Sequence, residues 1–498
     1  MLMSSDPNIY TKTVHSGKWF ALSTIAQRII NFFAFLILAR LLLPADYGVI
    51  SIVFLVTGII DDVSTPGFGA ALLQKKDNVE YYLRAVWTWD VLRSAVLAGL
   101  IVILSGEISS FFKIPQYHLL IALSGLLLVI PSVSNPKQLY FFKELDFKKI
   151  FIRDVTGGLV YAVAAVLWVI FVSPTAWALF WANVISQTSE VAMTYVLMPA
   201  RVRFDFRLRK LWDLSHYSRW IYGQNLLNYF LTSLDKIFIA RMLNSSDLGV
   251  YARAKDLPTV ITSPVTSGIR RVGFAAFAKV QDSLGQVQRG FVKSVDFFLL
   301  VSVPVSVLLI LEGGTLVQVF LGDKWLPISM PLKLFSIAAI LLGLVGIARL
   351  VANAVGRPSL NFKTNVMQLI VSAPILYIGI LNYGLLGAVV GSMLSWTIVL
   401  LYTIGVMRPV LQLNFKSFVP TIVSFAVPSL GTLLVDVLFR NQIHAWFNPF
   451  ERLGWIAFLG LFYMAILFLV ARLFDESPWH SFVAMLKTVL KKGEKVAA

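Results

Sequence analysis

The chain has 498 residues, of which 57% are hydrophobic and only 14% charged, with a formal net charge of +17. That balance excludes a soluble multidomain protein, because apolar runs of about 20 residues, enough to cross a bilayer, recur from end to end. The lack of cysteine excludes disulfides, thiolate nucleophiles and zinc–thiolate sites together. The basic residues are interleaved between apolar runs, a pattern of membrane orientation and not of nucleic-acid binding.

Fourteen spans are expected, at roughly 19–42, 48–72, 84–105, 117–136, 154–172, 175–198, 217–241, 248–277, 292–312, 331–353, 366–383, 384–407, 418–438 and 453–473. Residues 1–17 are polar and lead into the first span with no small-residue cleavage site, so that span is expected to be an uncleaved anchor. Lys75, Lys76 and Arg84, then Lys143, Lys148 and Arg153, then Arg201, Arg203, Arg207 and Lys210 crowd alternate loops, while the opposite loops carry few basic residues. The positive-inside bias then places both termini in the cytoplasm. The segment 137–153 and the tail WHSFVAMLKTVLKK are expected to lie in the headgroup plane as amphipathic helices.

Span 1 is stated twice. Lys18 to Val49 recurs without a gap 201 residues later as Arg219 to Val250, pairing Ala39-Arg40 with Ala240-Arg241, Asp46 with Asp247, and Gly48-Val49 with Gly249-Val250. Ser23, Gln27 and Asn31 fall at four-residue steps, one face of a helix, and the same offset places Gln224, Asn228 and Thr232 on the second copy. A lipid-facing span has no use for such a face, and an internal repeat in so apolar a chain points to a transporter with its site between related bundles. The expected division is 1–213, 214–412 and an extra pair of spans with a tail at 413–498, all of it α-helical.

Charges inside spans are costly and face a bundle interior or a water-filled cavity. Span 1 carries Arg28, and span 2 carries Asp61 and Asp62 before the broken run Ser64-Thr65-Pro66-Gly67. Span 3 carries Asp90 and Arg93 at ion-pair spacing, and span 7 carries Asp235 and Lys236. Span 8 is the least lipid-like: Arg253, Asp256, Ser263, Ser267 and Arg270 form one stripe, and Pro258 and Pro264 are expected to interrupt the helix. Glu190 and Arg349 are lesser candidates. Arg270, Arg28, Arg253, Gln27, Asn31, Asn228 and Thr232 are therefore expected to contact substrate, and Asp61, Asp62, Asp235 and Asp256 to couple an ion. The five histidines show no metal-ligand spacing, and the one Gly-Lys pair, Gly17-Lys18, lacks the upstream glycine of a phosphate loop, so no enzyme, metal or cofactor is expected.

The stretches ARLLLPADYGVIS (39–51), GFGAALLQKKD (67–77), KELDFKK (143–149), GFAAFAKVQD (273–282) and FLGDKW (320–325) resemble the Wzx-type polysaccharide flippases of the MOP exporter superfamily, in their longer WzxC-like branch. The family often has Phe-Pro where this chain has Gly273-Phe274-Ala275. The resemblance implies two six-helix lobes and two extra helices. These would alternate access to a cationic cavity and move an undecaprenyl-pyrophosphate-linked oligosaccharide across the cytoplasmic membrane for cell-surface polysaccharide biosynthesis. A polysaccharide polymerase and chain-length machinery would be partners, besides membrane lipids. The alternatives are a drug or cation antiporter of the same superfamily, which favours carboxylates over arginines in its cavity, and a membrane-embedded glycosyl-transferring enzyme, which product formation by purified protein would reveal.

Overall fold

The computed structural model describes residues 7–75, 78–200, 202–207, 209–413 and 418–473, and every extended regular element among them is helical. The first six helices are α1 (Pro7–Leu41), α2 (Pro44–Ser64), α3 (Phe68–Gln74), α4 (Val79–Phe111), α5 (His118–Leu123) and α6 (Leu126–Ser132). α7 (Leu139–Lys143), α8 (Phe147–Phe171), α9 (Ala176–Leu197), α10 (Arg209–Met242) and α11 (Ser245–Lys279) follow. The chain continues with α12 (Leu284–Phe320), α13 (Ser329–Ala354), α14 (Pro358–Leu411), α15 (Val419–Trp446) and α16 (Arg452–Ala471). By packing it divides into Met1–Gly249 and Val250–Ala498, so α10, which begins the second copy of the repeat, packs with the first unit.

Among the described residues ten helical stretches are long and apolar enough to cross a membrane. α9, α10 and α11 are not among them, although at 22, 34 and 35 residues each is long enough. α14 has 54 residues and as one rod would reach about 81 Å, far beyond a hydrocarbon core of about 30 Å. It turns back at Gly384, whose φ of 55° and ψ of −132° only glycine adopts readily. A Cβ on Gly391 would lie 3.3 Å from the Ile375 carbonyl oxygen, although 16 residues of straight helix span about 24 Å, so the two halves are antiparallel neighbours. The break falls where the sequence places the boundary between 366–383 and 384–407.

In the first unit α8 packs between α1 and α9, while α2 packs on α9 and α10. Phe68, Leu72, Leu83, Val86, Leu211 and Leu214 form a core joining α3, α4 and α10. The helix starts of the repeat explain its repeated residues. Asp46 caps α2 by accepting the Leu43 N–H at 2.9 Å, and its counterpart Asp247 accepts from the Asn244 amide at 2.8 Å at the start of α11. A Cβ on Gly48 would sit 1.6 Å from the Ser245 carbonyl oxygen, and one on Gly249 1.9 Å from that of Pro44. The repeated glycines let two helix starts lie backbone on backbone.

The segment before α10 is anchored by Asp205, which accepts from Lys210 Nζ at 2.7 Å and Arg207 Nε at 2.8 Å, while Lys210 also donates to the Tyr81 carbonyl at 2.7 Å. Hydrogen bonds from Arg207 and Lys210 hold the Asp205 carboxyl well below the usual carboxylate range. In the second unit α13 packs between α12 and α14, and α15 and α16 pack on α12 through Leu300, Phe425, Tyr463 and Leu467.

Three sequence expectations are corrected. Pro258 and Pro264 do not interrupt α11, which runs unbroken through both. Residues 137–153 are not one surface helix but a short turn, α7 and the start of α8, which continues into the apolar run. Span 4 is broken into a 3-10 turn, α5 and α6, with Pro131 inside the last. The amphipathic tail lies outside the described residues.

Candidate functional site

The expected residues fall into three groups. On α1, Ser23 is buried and donates to Asp154 Oδ2 at 3.2 Å, so this end of the polar face is spent on holding α1 to α8. Farther along, Gln27 and Arg28 are half-buried and Asn31 is exposed. On α10, Asn228 and Thr232 are exposed, with Thr232 Oγ1 bonded back to the Asn228 carbonyl at 2.9 Å, and the Gln224 side chain lies outside the described residues. Asp235 is buried, and its Oδ1 accepts from the adjacent Lys236 N–H at 2.8 Å. Tyr222 and Tyr229 donate to the Val63 and Leu55 carbonyls at 2.7 and 2.6 Å, so a different face of α10, about 100° round the helix from Asn228, is tied to α2.

The second group surrounds Arg93 on α4. The i,i+3 spacing predicts Asp90 as its partner, and that pair is present at 4.0 Å; Asp61 on α2 meets Arg93 Nη2 more closely, at 2.9 Å, and Ser64 Oγ accepts from Nη1 at 2.5 Å. A guanidinium is directional, and the α2 carboxylate lies along its N–H bonds where the neighbour on its own helix does not. Asp62 is half-buried one position along α2. Two carboxylates, Asp61 and Asp90, thus flank one guanidinium, one negative charge more than it balances.

The third group is the α11 stripe. Arg253 and Asp256 pair at 3.6 Å, Ser263 is half-buried, Ser267 Oγ donates to the Pro264 carbonyl at 2.9 Å, and Arg270 and Arg271 are exposed. The hydroxyls of Thr262 and Ser267 also donate to the carbonyls of Pro258 and Pro264 within α11.

Sequence reasoning missed a further network in the second unit. Glu312 and Asp436 are essentially inaccessible, at 1% and 0%, and Arg440 Nε lies 3.6 Å from a carboxylate oxygen of each. His444 Nε2 is 3.2 Å from Glu312, Thr315 donates to Glu312 at 2.5 Å, and Trp455 donates to Asp436 at 3.2 Å. The available signal was Glu312-Gly313-Gly314, where the backbone of α12 leaves helical geometry.

A family model described as "Polysaccharide biosynthesis protein" matches residues 37–330, more than half of the chain. The chain belongs to this family. A relative from Klebsiella pneumoniae, an uncharacterized membrane protein in the cps region, is 27% identical over 439 residues, covering 86% of this chain and 88% of its own length. The lipopolysaccharide biosynthesis protein WzxC of Escherichia coli (strain K12) is 24% identical and covers 85% and 87%. Among solved structures, the lipid II flippase MurJ in an inward closed conformation superposes with a TM-score of 0.68 over 91% of this chain and 98% of its own, at 13% identity. At that identity the likeness shows the fold alone, an all-helical one that the two chains share.

Proposed function

We propose that this protein moves a lipid-linked oligosaccharide across the cytoplasmic membrane by alternating access, for the biosynthesis of a cell-surface polysaccharide. It is a transport protein and not an enzyme. The observation that carries the reading is the placement of Asn31, Asn228, Thr232 and Arg270 at exposed positions of membrane-length helices in a member of the polysaccharide family. Such side chains are costly against lipid and belong to a solvated path. The lipid's pyrophosphate would be met by guanidinium groups and its sugars by the amides and hydroxyls. Fourteen crossings in two six-helix lobes with two extra helices, both termini in the cytoplasm, remain our reading of the topology. A polymerase and chain-length machinery are its natural partners.

The decisive comparison is between neighbours on α11. In a strain deleted for the protein, Arg270→Ala is expected to reduce polysaccharide export at least tenfold at matched protein level, with Arg270→Lys intermediate because an ammonium lacks the planar fork. Arg271→Ala, about 100° round the helix, is expected to export normally, and the reverse result would move the path to the other face.

Coupling falls to the adjacent carboxylates of α2, Asp61 and Asp62. With Asp61 and Asp62 both changed to Asn, expression should persist while export falls and no longer responds to collapse of the ion gradient. Full complementation by the double variant would remove these residues from any coupling role.

A further inference from the structure

Four arginines in or beside the apolar helices have carboxylate partners: Arg93 with Asp61, Arg153 with Asp154, Arg253 with Asp256, and Arg440 with Glu312. Arg349 breaks the pattern. It lies five residues before the end of α13, about 8 Å inside the helix end that the basic-loop reading puts in the cytoplasm. It follows buried Ile347 and Ala348 and precedes buried Leu350 and Val351. Among the described residues it has no carboxylate at salt-bridge distance, and its side chain makes one hydrogen bond, from Nη2 to Gln368 Oε1 at 2.9 Å. Its Nε is buried with no acceptor.

A guanidinium has five N–H donors and keeps its charge at any physiological pH. Leaving such a group half-buried in a membrane helix without a counter-charge is costly, and removing a structural pair's partner is among the most damaging changes a core can undergo. A cation held for packing alone would be expected to share a carboxylate, as the other four do.

The surroundings are amide-rich. Asn361, Asn365 and Gln368 on α14 recur at four- and three-residue steps, on one face of the helix. Asn361 Nδ2 donates to the Arg349 carbonyl at 2.9 Å and to Asn353 Oδ1 at 2.8 Å, which fixes the backbone beneath the guanidinium. Asn365 Oδ1 is buried and has no donor. Two complementary needs therefore stand on adjacent helices of one unit: a guanidinium wanting an anion, and a buried amide oxygen wanting a hydroxyl.

We propose that Arg349, Gln368 and Asn365 form a subsite for a sugar phosphate, with the guanidinium gripping phosphate oxygens and Asn365 accepting from a hydroxyl of the adjoining sugar. Gln368 holds the guanidinium in position. This rests on the reading that the cargo is a phosphate-linked sugar and adds a residue outside the α1, α10 and α11 faces.

The test uses full-length protein in phosphatidylethanolamine nanodiscs with three probes: inorganic pyrophosphate, undecaprenyl pyrophosphate and phosphatidylglycerol, each read by native mass spectrometry. Arg349→Gln is expected to weaken both pyrophosphate probes at least tenfold and Arg349→Lys about threefold, with an unchanged or raised thermal midpoint because an uncompensated cation has been removed. Wild-type binding that Arg349→Gln leaves intact overturns the subsite alone, whereas failure of the wild type to bind undecaprenyl pyrophosphate overturns the substrate reading. A loss confined to phosphatidylglycerol makes this a lipid-headgroup site and overturns the sugar-phosphate assignment. A sharp fall in the thermal midpoint makes Arg349 a packing residue and overturns it too.

Discussion

Gly48→Ala is expected to leave little folded protein in the membrane. The new Cβ would lie 1.6 Å from the carbonyl oxygen of Ser245 and 2.5 Å from its carbonyl carbon, and both are backbone atoms that cannot rotate aside. Ordinary contact would require the starts of α2 and α11 to part by almost 2 Å. Overpacking that only crowds side chains costs about 1–3 kcal/mol, and a backbone displacement lies at or above the top of that range. Gly249→Ala should behave alike, because its Cβ would meet the Pro44 carbonyl oxygen at 1.9 Å. Gly99→Ala is the control: nothing lies within 4 Å of its Cβ, and alanine favours the helix by about 1 kcal/mol. Yield and thermal midpoint in detergent provide the readout. If Gly48→Ala melts with Gly99→Ala, the two helix starts are not in backbone contact.

Arg440→Met is expected to destabilise the second unit by about 3 kcal/mol. It leaves Glu312 and Asp436 inaccessible to water with their guanidinium gone, and breaking a buried pair from one side costs about 3–5 kcal/mol. The lower end applies because a third of the Arg440 side chain is exposed and water enters when it is removed. Adding Glu312→Gln to Arg440→Met should recover part of the loss, since one stranded charge disappears while the neighbouring Thr315 hydroxyl keeps an amide oxygen as acceptor. Thermal midpoints of the single and double variants measure the recovery. Equal midpoints for wild type and Arg440→Met would mean that these charges are solvated in the membrane.

Hydropathy and period alone determined that the chain is helical and membrane-embedded, because each span must satisfy its own backbone in lipid and so declares itself locally. The same local logic located the break at Gly384 and the repeat of span 1. Partner choice was a different matter. Spacing on one helix paired Arg93 with Asp90, which lies at 4.0 Å, but did not show Asp61, 32 residues away on α2, at 2.9 Å; Glu312 and Arg440 are 128 residues apart; and Ser23, on the repeated polar face, is spent on Asp154. Helix packing decides these, and nothing in a single helix's periodicity encodes which neighbour it meets.

Burial in a membrane protein is hidden from the sequence for a second reason. In water the apolar face of a helix marks the core, but lipid is as apolar as the core, so both faces read alike. Ile101 is fully buried and Ile103, two residues on in the same helix, is 78% exposed. The sequence determined that both belong in a hydrocarbon environment, and only the tertiary structure decided which of them faces protein.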